Sequence, residues 1–158
     1  MSGMKIEIRK ILCPVDFSES SEHALRYALA FASAYNAELE VLYVLELPFL
    51  PAYSTAGVPN LSLPVDRMQQ QSKEQLDRLV ERYRGVHPKI GGHTTVGAAF
   101  VEIIREAKSG QFDLIVMGTH GRTGVKHMLI GSVAERVVRK APCPVLTVRH
   151  PEHEFVMP

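Results

Sequence analysis

The chain has 158 residues and a mass of 17.6 kDa, with 46% hydrophobic and 22% charged residues, the balance of a globular protein rather than a disordered one. Eighteen Lys and Arg against seventeen Asp and Glu leave a formal charge of +1, which argues against a strongly electrostatic nucleic-acid binder. No apolar run reaches the roughly 18–20 residues that cross a membrane, the first ten residues lack a signal-peptide core, and the two cysteines, Cys13 and Cys143, have neither CxxC nor zinc spacing; the expected setting is a reducing cytoplasm without membrane or nucleic-acid partners.

The length predicts a single domain with its core over about residues 5–150 and a frayed tail over 150–158. Ile11-Leu12-Cys13-Pro14-Val15 is an apolar run that predicts a strand buried on both faces. It stops at Asp16-Phe17-Ser18, where Ser18 is a good N-cap and Glu19 and Glu22 suit the first turn of a helix. Ala24, Leu25, Ala28, Leu29 and Ala32 then recur at helical spacing, and the helix is expected to end near Asn36. A second buried strand is predicted over Glu38–Glu46.

Residues 47–64 hold four prolines, which forbid a regular helix or a central strand and predict a long loop, a candidate lid. A helix follows from Val65 to Tyr83, with Met68, Leu76, Leu79, Val80 and Tyr83 on its core stripe. A weaker strand over Lys89–Val96 reads as broken at Gly91-Gly92. The next helix carries Val101, Ile104 and Ala107 and ends at Ser109-Gly110. Asp113–Met117 is the strongest strand signal, and a glycine-rich loop runs from Gly118 to Gly131. A helix over Val133–Lys140 and a fifth strand over 144–149 complete a βαβαβαβαβ series. Such alternation predicts an α/β fold with a parallel sheet and helices on both faces.

Ligands of open α/β sheets bind beyond the carboxyl ends of the strands, where the winding reverses. A strand order of 3-2-1-4-5 would set the Pro14–Ser18 loop beside the loop that starts at Gly118. The latter combines glycines that permit close approach, the basic residues Arg122 and Lys126, and a helix start at Gly131-Ser132 whose free N–H groups attract anions. Ser132-Val133-Ala134-Glu135 also matches a capping box, so Ser132 has a purely structural reading as well. His120 and His127 have no carboxylate or thiolate close in sequence and make a poor metal site. No P-loop pattern is present, and Asp16 is the only acidic residue near the loop.

The spacing Gly118-x2-Gly121-x9-Gly131-Ser132 resembles the nucleotide-binding signature of the universal stress protein family. The resemblance extends to Lys10–Ser18, Asp113–Gly118 and Ala141–Leu146, in family order. It implies a Rossmann-like, adenine nucleotide alpha hydrolase-like fold, a homodimer joined through strand 144–149, and membership of the ATP-binding branch. By position it implies nucleoside contacts from Pro14, Val15 and Asp16, an adenine contact from Val44, ribose contacts from Met117 and Gly118, and phosphate contacts from Gly121, Arg122, Gly131, Ser132 and Val133. Any magnesium is expected to arrive with ATP. The implied function is a nucleotide-dependent regulatory module of the stress response; the alternatives are a slow ATP-hydrolysing enzyme and a ligand-free interaction protein.

Overall fold

The computed structural model describes residues 6–48, 64–121 and 130–151. Most of the expected lid, the basic pair Arg122 and Lys126, His127 and most of the tail lie outside the described residues. Five strands and four helices alternate along the chain: β1 (Lys10–Val15), α1 (Glu19–Tyr35), β2 (Glu38–Leu45), α2 (Val65–Arg84), β3 (Ile90–Val96), α3 (Ala99–Ser109), β4 (Leu114–Gly118), α4 (Ser132–Lys140) and β5 (Val145–Val148). The strands form one sheet, parallel as the alternation predicts and in the expected order β3-β2-β1-β4-β5.

The central strand is apolar because both its faces are covered. Ile11, Cys13 and Val15 turn toward α1 and α2, whereas Leu12 turns toward α3 and α4 with Leu42, Ile115 and Met117. Ile11, Leu12 and Ile115 are fully buried. Truncating such a side chain to alanine costs about 2–5 kcal/mol. The same burial pushes the Cys13 thiol up to about 12, and Cys143 is half-buried with its pKa also raised by burial.

Local chemistry sets the ends of α1. Ser18 is extended and its Oγ accepts from the Ser21 N–H at 3.2 Å, the expected N-cap. Asn36 adopts a left-handed conformation at φ 54° and stops the helix. On α2, Leu76, Leu79 and Val80 are buried, with Met68 and Tyr83 packed at the edge of the same core.

Two expectations are corrected here. β3 is not broken at Gly91-Gly92, because each of its residues from Ile90 to Val96 lies opposite a β2 residue from Leu39 to Leu45. Its glycine serves close packing instead: a Cβ on Gly92 would fall 2.8 Å from Val80 Cγ2 and 3.2 Å from the Val41 carbonyl oxygen. On α3 the core face carries Ile103 and Ala107, while Val101 is exposed.

Candidate functional site

The winding reverses between β1 and β4, which pair directly through Ile11 with Leu114 and Leu12 with Ile115. Their carboxyl ends open into a cleft of about 680 Å³. Pro14, Val15, Asp16, Val44, Met117, Gly118, Gly121, Gly131, Ser132 and Val133 all line it, so each described residue of the expected site is brought to one place. Arg122 lies outside the described residues.

β1 delivers Asp16 to the cleft through a tight turn. Asp16 Oδ1 accepts from the Ser18 N–H at 3.0 Å, and the Asp16 N–H donates to Ser21 Oγ at 3.3 Å. Phe17 takes a positive φ of 62°, uncommon for a residue with a large side chain, and its ring stacks on Tyr43 with centroids 4.6 Å apart. Asp16 thus has a structural role of its own in the turn and still faces the cleft.

The glycine loop meets that turn from β4. A Cβ on Gly121 would sit 2.8 Å from Asp16 Oδ2, so only a glycine fits without displacing the carboxylate. Gly131 approaches the end of β4 as closely: its N–H donates to the Thr119 carbonyl, and a Cβ there would lie 3.0 Å from that oxygen. His120 is buried beside it, with Nδ1 hydrogen-bonded to Thr119 Oγ1 at 3.0 Å. Among the described residues no group of three or more His, Cys, Asp or Glu is arranged to hold a metal ion.

All four helices bring a residue of their first turn or cap to the cleft; α2, which follows Pro64 and has no side-chain cap among the described residues, brings only Met68 from its first turn. The first N–H groups of a helix attract anions unless the chain supplies its own acceptor. At α1 the Ser18 hydroxyl is that acceptor, with Asp16 and Glu19 adding negative charge nearby. At α3 the Glu46 carboxylate reaches across from β2 and takes the Ala99 N–H at 2.7 Å. At α4 the cap is Gly131, which has no side chain, and among the described residues no side-chain cap bond closes the first turn. The capping box expected at Ser132 does not form. Ser132 is already the first helical residue, and it is exposed; it is Gly131, extended at φ −72° and ψ 159°, whose carbonyl accepts from the Glu135 N–H. The cleft is therefore polarised, with an open helix start at one end and the carboxylates of Asp16 and Glu46 at other points on its wall.

The description "Universal stress protein family" matches residues 7–149. The chain belongs to the universal stress protein family. It is 35% identical over 147 residues to Universal stress protein MJ0531 of Methanocaldococcus jannaschii, covering 92% of this chain and 85% of that one. Universal stress protein UspA from Lactobacillus plantarum superposes with a TM-score of 0.78 at 27% identity, over 92% of this chain and all of the other. The universal stress protein from Archaeoglobus fulgidus in complex with dAMP shares the fold at a TM-score of 0.60 and 23% identity, over 90% of this chain and 98% of that one.

Several wall residues of this universal stress protein escaped the sequence reading. Met68, Ser72 and Gln75 form a helical face of α2 that reaches the cleft as well as the core. Ser72 hides its polarity by donating to the Met68 carbonyl at 2.8 Å. Glu46, Ile103, Thr119 and His120 are among the other wall residues. For Glu46 a signal existed: it stands two residues beyond Val44, so it shares that residue's strand face.

Proposed function

We propose that this universal stress protein binds ATP in the cleft and acts as a nucleotide-dependent regulatory module of the stress response in the cytoplasm. The phosphates lie at Gly121, Gly131, Ser132 and Val133, the ribose at Asp16, Met117 and Gly118, and the adenine at Val44 beside Pro14 and Val15. Arg122 adds positive charge at the phosphates, and magnesium enters on the phosphate oxygens of ATP itself. The working form is a homodimer paired along β5.

One observation carries this reading. Among the described residues, the start of α4 has a glycine cap without a side-chain acceptor and brings Gly131, Ser132, Val133 and Ala134 to the cleft in succession, so a polyanion has a favourable end to occupy. The donor set fits a nucleotide: backbone N–H groups for phosphate, the Asp16 carboxylate for sugar hydroxyls, and the apolar side chains of Val44, Ile103 and Met117 for a base plane.

The test is to denature the purified protein and identify any released nucleotide by chromatography, then titrate ATP into protein freed of it. ATP released, or taken up at one per chain, supports the reading. Protein that carries no nucleotide and takes up none from millimolar ATP contradicts it.

A further inference from the structure

We infer that the chain's own tail, residues 152–158, docks through Phe155-Val156-Met157 onto a ladder of rings along the outer side of α1. His23, Tyr27, Phe31 and Tyr35 recur there at every fourth residue. Residues so spaced are neighbours on one side of a helix. The rings associate in pairs: His23 is edge-on to Tyr27 with centroids 5.4 Å apart, and Phe31 is parallel to Tyr35 at 6.4 Å. Phe31 packs partly against the core, whereas Tyr27 and Tyr35 are 46% and 44% exposed. Ala30 and Ala34 beside them are exposed too and add no polar side-chain group.

The path of the chain decides what covers these rings. α1 packs on β1, β4 and β5. His150, two residues past the end of β5, sets its ring edge-on to His23 with centroids 5.6 Å apart. The chain therefore leaves the sheet at the first rung of the ladder, with Pro151 in a turn. Residues 152–158 lie outside the described residues and read Glu-His-Glu-Phe-Val-Met-Pro. An extended chain advances about 3.3 Å per residue, so Phe155, five residues past His150, reaches about 17 Å from it. A helix rises about 1.5 Å per residue, so Phe31 and Tyr35 lie about 12 and 18 Å along α1 from His23. The apolar run of the tail thus reaches the second pair of rings.

Charge points to the same occupant. Arg26, one turn beyond His23, is exposed and has no hydrogen bond or ion pair among the described residues. Glu152 and Glu154 precede the apolar run, so carboxylates pass that guanidinium before Phe155 meets the rings. Phenylalanine and methionine side chains both gain specific contacts with aromatic rings.

The experiment is NMR on the full chain with carbon-13 in the methyl groups of Met and Val, the Met157 signal being assigned with Met157→Leu. Nuclear Overhauser contacts are expected from the Val156 or Met157 methyls to the ring of Phe31 or Tyr35, with the Met157 methyl moved upfield by the ring it covers. Tyr35→Ser, at an exposed position that the fold tolerates, is expected to return that methyl toward the shift of free methionine. Phe155→Ser is expected to abolish the contacts and to lower Tm by about 2–4 °C, the scale of one modest contact in a chain of this size.

A Met157 methyl at the shift of free methionine, with no ring contact from it or from Val156, overturns the docking. Contacts that arise only between labelled and unlabelled copies in a mixed sample overturn it equally, because the tail then covers a second molecule.

Discussion

Gly121 and Asp16 meet across the reversal of the sheet so closely that a Cβ on the glycine would fall 2.8 Å from the Asp16 Oδ2. The glycine thereby couples two loops that are more than a hundred residues apart in the chain. Gly121→Ala must push the carboxylate away, since no carbon and oxygen pair rests at that distance. Gly121 lies beyond β4 and is itself exposed, so the fold should tolerate the change. Calorimetry is expected to show ATP weakened by about tenfold, the scale of one disturbed hydrogen bond to a charged group, with the circular dichroism spectrum retained. Unchanged affinity would separate Asp16 from the site.

The two thiols should behave differently. Burial pushes Cys13 up to about 12, above its ordinary value of 9.0. In the unfolded chain that thiol ionises first, so the unfolded state loses a proton that the folded state keeps. Stability from this group is intact below the ordinary value and is lost as pH rises toward about 12. Urea unfolding at pH 7.5 and pH 10 should show a larger alkaline loss for the wild type than for Cys13→Ala. Alkylation of the native protein should modify Cys143 and spare Cys13 until denaturant is added; equal labelling of both in the native state would contradict the burial.

β5 ends the sheet, and an edge strand offers unpaired N–H and C=O groups to any second strand. Val145 and Leu146 are only half-buried there. The proposed dimer pairs this edge with its copy. Light scattering at micromolar concentration should report twice the chain mass of 17.6 kDa. A particle of 17.6 kDa would leave the edge uncovered and contradict the dimer.

Much of the fold was legible because its signals are local or periodic. The run Ile11–Val15, the cap at Ser18 and the helical spacing from Ala24 to Ala32 each act within one element. Gly91-Gly92 misled because a glycine looks alike in sequence whether it breaks a strand or admits a neighbour; Val80 and Val41 decide which, and they lie elsewhere in the chain. Ser132 misled for a subtler reason. Its spacing to Glu135 suits a capping box, but the helix starts one residue earlier, with the cap at Gly131. Within the cleft, Asp16 and the glycines stood out as breaks after apolar runs. Met68, Ser72 and Gln75 could not, since a helix face that lines a cleft has the same spacing as one that lines a core.

The central claim is that phosphate sits at the start of α4, and Ser132 tests it most directly. Because Gly131 is the cap, Ser132→Ala removes no capping bond, and its effect on the melting temperature should be small. Ser132→Asp keeps a residue that suits the helix dipole and places a carboxylate where phosphate belongs. The decisive measurement is calorimetric titration of ATP into wild-type, Ser132→Ala and Ser132→Asp proteins, each first shown to be folded. The account predicts ATP binding in the wild type, binding weakened about tenfold or more by loss of the hydroxyl, and none with the carboxylate. ATP bound with wild-type affinity by folded Ser132→Asp protein would contradict it.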